Sequence, residues 1–459
     1  MDVTIPLAEV QSSANIGKFR ASFGKPSLRW QVGRCLGVWA SMEPQYLDFR
    51  ISISTVPASN SPGWQWRRAN IARPQTKCEI GYFLVHIKFL MAPKSRTKAF
   101  SVFSGEVLDV VAEAPVLIKY LPGDPTKPLA VCIPGGGHTA RIFYGGHPGG
   151  RDRDFLAYWL NKDHQLGFLG LSYPTETAEA LMLTPAPGYT VQDWGQQTAK
   201  VTSDIIQQHG LAKEVVLLMW SMGGRVLEPF TTSAEKLGVQ VTVAVSLAAT
   251  PGIYGLRPPV SGIKMSTAGY AYKDGAASVF LHQLELESKL NGIDAIIDPV
   301  SYSTFYLGTT PVNLTGWGLR YAEDDGHPNF KMDPFGDIQD ARVFEWSALP
   351  MTAVIQPTHA LDFMHALGDK AAWGLVLTKR LMAQFQERSP SWRHHDFERF
   401  RKFRDLVDEA PGRLCCRVEG NHFFFVGEEG ARNTAKKLIT LIRAVEHLQK
   451  ELIELLDDQ

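Results

Sequence analysis

The segment that most constrains this chain is Val215-Val-Leu-Leu-Met-Trp-Ser221-Met-Gly-Gly-Arg-Val. Residues 214–220 form an apolar run long enough for a buried strand and too short for a helix of its own. The run stops at Ser221, and glycines at 223 and 224 open a helical pattern. A serine on so tight a strand-to-helix turn requires small neighbours, because the backbone is crowded, and the turn pushes the hydroxyl out above the strand ends. It also sets the amide of Met222 at a helix N-terminus, where unpaired N–H groups and the helix dipole favour a developing oxyanion.

From residue 98 onward the chain alternates short β-rich runs with helical ones. Strands are expected at 100–111, 116–121, 129–133, 166–172, 214–220, 239–247, 351–356 and 414–419, with a Pro-Gly-Asp-Pro turn at 122–125. Helices are expected over about 371–388 and 428–456, the latter carrying one apolar face from Ala431 to Leu455. This alternation predicts an α/β fold with a mostly parallel central sheet flanked by helices on both faces. It breaks between 252 and 340, where Gly, Pro and aromatic residues surround one helical piece at 276–290. An insertion of that size at a strand end is expected to form a cap or lid over a site.

Two more segments follow expected strands. Pro134-Gly-Gly-Gly-His138 comes directly after 129–133, and consecutive glycines let backbone amides approach a ligand closely. The plain alternative is a flexible turn. A rival reading takes Gly135 to Ala140 as a loose G-x-G-x-x-A dinucleotide fingerprint, with Asp152 and Asp154 near the place of a ribose-binding acid. That fingerprint belongs to the first βαβ unit, whereas this loop follows at least two earlier strands. Glu419-Gly-Asn-His422-Phe-Phe-Phe425 follows the last strand, so its histidine would reach the same sheet edge as Ser221 and could serve as a base.

The segment around Ser221 resembles the nucleophile elbow of the α/β-hydrolase family, whose Gly-x-Ser-x-Gly is met at Ser221 and Gly223. Met219 stands where the first small residue is expected, which leaves less room beneath the turn. The resemblance covers 98–459 and implies an oxyanion hole built from the amides of Met222 and Gly136, with Gly137 as the neighbouring candidate. It implies that His422 is the catalytic histidine. In the chain order Ser, acid, His, the acid follows strand 351–356: Asp362 is the first choice, and Asp369 is the runner-up that could instead cap the next helix. The segment Ala248-Ala-Thr-Pro-Gly252 offers no acid. The function implied is a serine hydrolase of the ester, thioester or related acyl class that needs no cofactor and no metal. An acyltransferase using the same residues and a non-catalytic binding protein of the same fold are the alternatives.

Composition bounds the partners. Lys+Arg and Asp+Glu both total 47, so no global basic field invites nucleic acid. The balance is uneven, because residues 1–90 hold eleven Lys/Arg and five Asp/Glu, a net of +6 that leaves −6 for 91–459. Residues 1–97 follow neither period and are expected to be an N-terminal extension, disordered or not a native folding unit. No apolar run approaches the length of roughly 18 residues that a spanning helix needs, and no secretory signal is visible. The five cysteines, Cys35, Cys78, Cys132, Cys415 and Cys416, form no metal-binding or disulfide pattern. A cytoplasmic protein acting on a small-molecule acyl substrate is expected.

Overall fold

Period-two alternation sorts the side chains of the central strands onto the two faces of one eight-stranded sheet. The computed structural model describes residues 102–182, 187–256, 263–266, 268–272, 276–324, 327–388 and 397–457, together with short strands within residues 1–98. The chain divides into two compact units, Met1–Lys98 and Ala99–Gln459. In the first, Phe23–Gly24 pairs with Ser27–Leu28, and Trp39–Ala40, Phe49–Ser54 and His86–Phe89 form an antiparallel set. The expectation for residues 1–97 otherwise lies outside the described residues, as do Cys35 and Cys78.

The strands of the second unit are β1 Glu106–Val111, β2 Ala114–Leu121, β3 Leu129–Ile133, β4 Phe168–Ser172, β5 Glu214–Trp220, β6 Gln240–Leu247, β7 Met351–Gln356 and β8 Cys415–Arg417. They lie in the order β8-β7-β6-β5-β3-β4-β2-β1. Every pairing from β8 to β4 is parallel, while β2 runs antiparallel to both β4 and β1. This order, with its single reversed second strand, is the α/β-hydrolase fold. β3 enters the sheet after a β1–β2 hairpin rather than as its first strand, which departs from the dinucleotide-binding order. Asp154 instead pairs with Arg151 at 2.6 Å, and its carbonyl accepts the Gly427 N–H.

The main helices are α1 Leu156–His164, α2 Val191–His209, α3 Leu227–Lys236, α4 Ala276–Leu290, α5 Phe363–Arg388, α6 Phe397–Arg413 and α7 Glu428–Asp457. Ala130, Cys132, Val216, Leu218 and Trp220 face the apolar sides of α1, α6 and α7. Leu129, Val131, Ile133, Val215, Leu217 and Met219 face α2 and α3. Helix α2 starts at a capping box, in which Thr190 accepts the Asp193 N–H and Asp193 accepts the Thr190 N–H, and ends at Gly210 with φ 62°.

Three expectations need correction. The first strand begins at Glu106 rather than 100. Helix α5 begins at Phe363, a full two turns before 371, so Asp369 lies inside the helix and caps nothing; its carboxylate pairs one turn back with His365. Helix α6 was not expected from its polar sequence with Pro411, but Phe403, Leu406 and Ala410 give it one buried stripe, and Phe403 stacks on Phe385 of α5 at 4.5 Å.

The described parts of 252–340 include α4, the turns Pro299–Ser301 and Tyr302–Tyr306, an antiparallel hairpin Leu319–Asp324 with His327–Met332, and the start of the helix Pro334–Ala341. They are stitched to the scaffold by Thr139 N–H to Tyr306 O at 2.9 Å and Gly308 N–H to Gly137 O at 2.8 Å. Among the described residues, no helix is long and apolar enough to cross a membrane.

The sheet edge is fixed by a buried pair. The Arg141 guanidinium, wholly inaccessible, grips Glu106 of β1 in a fork at 2.9 and 2.8 Å, Tyr144 donates to the same carboxylate at 2.6 Å, and Phe103 covers the guanidinium at 3.8 Å. Arg141→Met would strand the Glu106 charge. Urea unfolding is expected to show a loss of about 3–5 kcal/mol, and a change below about 1 kcal/mol would show that the pair does not hold this edge.

Candidate active site

Ser221 is the first residue past β5 and has φ 54°, a left-handed conformation that L-residues rarely adopt. Its neighbours hold it there. The Ser221 N–H donates to Ala248 O at 3.1 Å, and its carbonyl accepts the Thr250 N–H at 2.9 Å, so the turn is laced to the end of β6. A Cβ at Gly224 would lie 2.4 Å from Thr250 O, and one at Gly223 would lie 2.9 Å from Ile133 O. Those contacts explain the two glycines that open the following turn. Met219 is accommodated because its side chain is fully buried in the core on the α2–α3 face.

The loop after β3 presses on the same turn. A Cβ at Gly135 would stand 2.8 Å from the Ser221 Cβ. The fully buried Tyr173 hydroxyl braces this loop, donating to Gly135 O at 2.9 Å and accepting the Gly137 N–H at 2.7 Å. Burial pushes the Tyr173 phenol up to about 12, so it stays neutral. The N–H of Gly137, expected as a candidate oxyanion donor, is taken by the Tyr173 hydroxyl in this structure. His138 turns inward: Nδ1–H donates to Gly136 O at 3.1 Å, and Nε2 accepts the Tyr302 hydroxyl at 2.7 Å.

His422 and Asp362 are brought together. His422 Nδ1 lies 2.8 Å from Asp362 Oδ2, both side chains are buried, and Asp362 ends a short turn that follows β7. A carboxylate can only accept, so Nδ1 carries the proton and Nε2 holds the basic lone pair. The Trp220 indole N–H donates to His422 O at 2.9 Å, and its ring packs on the imidazole at 5.1 Å. The residue that precedes Ser221 thus anchors the histidine. Asp369 is placed elsewhere, at 2.8 Å from His365 Nδ1.

Asp362, His365 and His422 each bring one nitrogen or oxygen to within 4.8 Å of the others. Within this cluster Asp362 and His422 are joined by their hydrogen bond. Of the residues singled out in the sequence, the structure joins His422 to Asp362, while Tyr173, Trp220 and His365, which pack on Gly135, Gly137 and His422, were missed. Of these only Trp220 carried a signal, since it sits beside the serine; Tyr173 and His365 reach the site through tertiary packing.

No family model and no curated protein matches this chain. Solved structures that resemble it include a thermophilic esterase from Thermogutta terrifontis, at 11% identity over 74% of this chain and 98% of that one, with a TM-score of 0.41. An enzyme variant that recognises and ring-cleaves the Pseudomonas quinolone signal shows 12% identity over 74% and 99%, with a TM-score of 0.39. A thioesterase domain from the curacin biosynthetic pathway shows 11% identity over 74% and 98%, with a TM-score of 0.33.

Tyr173→Phe is expected to leave the Gly137 N–H without its hydroxyl acceptor and the Gly135 carbonyl with only the longer His138 N–H contact at 3.3 Å. Thermal or urea unfolding should register a loss of about 1–3 kcal/mol. An unchanged stability would mean that the glycine loop keeps its shape without the hydroxyl.

Proposed function

We propose that the protein is a serine hydrolase that cleaves an ester, thioester or related acyl bond in a small apolar or aromatic substrate. The observation that carries this reading is the buried His422–Asp362 pair, anchored by Trp220 to the strained turn that presents Ser221. In the proposed reaction His422 Nε2 takes the Ser221 proton as the oxygen attacks the acyl carbon. Asp362 orients the ring and stabilises its charged form. The amides of Met222 and Gly136 hold the oxyanion, the alcohol or thiol leaves with the proton from His422, and water activated by the same ring releases the acid.

The segment 252–340 supports the reading as a cap. Thr315, Gly316 and Trp317 join Ser221, Met222 and Ile253 around a cavity of about 80 Å³. A pocket of that size suits a small acyl or alcohol group. The buried Arg225–Asp337 pair, at 2.5 Å, ties the helix Pro334–Ala341 to the elbow.

Ser221→Ala is expected to lower kcat/KM on p-nitrophenyl acyl esters by at least about 10⁴-fold, and Asp362→Asn by about 10³- to 10⁴-fold. A fluorophosphonate probe should label the wild type at Ser221 and leave S221A unlabelled. An S221A protein that hydrolyses at the wild-type rate would refute the mechanism. Product analysis with a competing alcohol or amine then separates hydrolysis from acyl transfer.

A further inference from the structure

Helix α4 of the insertion lies along the turn that carries His422, and three residues on one of its faces make the contacts. Phe280, Gln283 and Glu287 are spaced by three and four positions, one stripe of a helix. The Phe280 ring lies parallel to the His422 imidazole, with centroids 6.4 Å apart and planes at 13°, and it meets His138 edge-on at 5.0 Å. The Gln283 backbone carbonyl accepts the Asn421 side-chain N–H at 2.8 Å, while the Gln283 side-chain amide donates to Leu361 O at 3.4 Å, next to Asp362. Glu287 Oε1 accepts the Asn421 backbone N–H at 2.6 Å. The Asn421 side chain in turn accepts the Phe423 N–H at 3.0 Å. One helix face therefore touches the chain on both sides of the His422–Asp362 pair.

Glu287 is the unusual member of that stripe. It is almost wholly buried, and a Cβ at Gly420 would stand 2.8 Å from each of its carboxylate oxygens, so the turn is pressed directly onto the carboxylate. Gly420 has φ 129°, which allows that approach. A buried carboxylate facing a single backbone amide is a costly choice if the amide only needed an acceptor, because a neutral amide side chain would serve.

We propose that α4 clamps the His422 turn and that Glu287 is a positioning residue for the hydrolysis proposed above, fixing Asn421, and through it the imidazole, most firmly when ionised. This rests on the assignment of Ser221 and His422. Burial, opposed by the Asn421 hydrogen bond and reinforced by the charge of Glu419, pushes the Glu287 carboxyl up to about 7. The other titratable groups around the turn are His422, the residue after Asn421, with Asp362 and His365 packed on it. Raising the pH through about 7 therefore converts a neutral hydrogen bond to Asn421 into a charge-assisted one.

The test compares the wild type with Glu287→Gln, whose side chain copies the protonated carboxyl. Above about pH 8, E287Q is expected to lower kcat about tenfold with KM within about twofold, and the two proteins should converge below about pH 6. A ratio that is the same at every pH, or equal rates throughout, would overturn the proposal. If S221A is inactive while that ratio is flat, this inference fails alone; if S221A retains full activity, the assignment beneath it fails. A second readout is independent of catalysis. The folded protein keeps the Glu287 proton up to about 7, whereas the ordinary value is 4.5, so stability falls as pH rises across that window, and E287Q should lack this slope. Should E287Q fail to fold, the exposed Glu419→Gln removes the charge that adds to the burial-driven rise of Glu287, and the activity step should move to lower pH; a step left in place would overturn the proposal.

Discussion

The candidate site depends on close backbone approach around Ser221. The left-handed φ at that residue is held by a hydrogen bond on each side from the segment just after β6, and by the loops after β3 and β6, which come within van der Waals contact of the turn. Glycines at 135, 223 and 224 are the condition for that approach, since a single Cβ at any of them would collide with its neighbours. A serine held this way exposes its hydroxyl at the sheet edge without moving any larger element.

The same crowding transmits order to the histidine. Trp220 precedes the strained residue, is fully buried, and holds the His422 carbonyl from below. Phe280, Gln283 and Glu287 of α4 also hold the turn around it. The imidazole is thus located by contacts from the scaffold and from the insertion, and its partner Asp362 is located by β7. An insertion that merely shielded a pocket would have no need to bond the backbone of residue 421.

Much of the fold was legible because its signals are local. The runs at 129–133, 214–220 and 351–356 coincide with β3, β5 and β7, and 276–290 coincides with α4, since length, apolar content and bounding turn residues decide such elements. The errors fall where packing outweighs local preference. Helix α5 extends through Gly368 back to Phe363, and α6 forms from a polar sequence because three apolar residues meet α5 and the core. The choice between Asp362 and Asp369 was open for the same reason. Both follow β7 at plausible distances, and only the start of α5 turns one toward His422 and the other toward His365.

The sequence by itself determined the succession of strands along the chain and the abrupt end of β5 at Ser221, because each is a short pattern whose steric meaning is contained in a few residues. Only the tertiary structure decided which acid meets the histidine, that Tyr173 claims the Gly137 amide, and that Glu287 lies against Asn421, 134 positions away. Those are pairings between distant segments, fixed by the packing of α4 and α5 on the sheet. No local pattern encodes them, because a side chain's partner depends on the path of the whole backbone between the two.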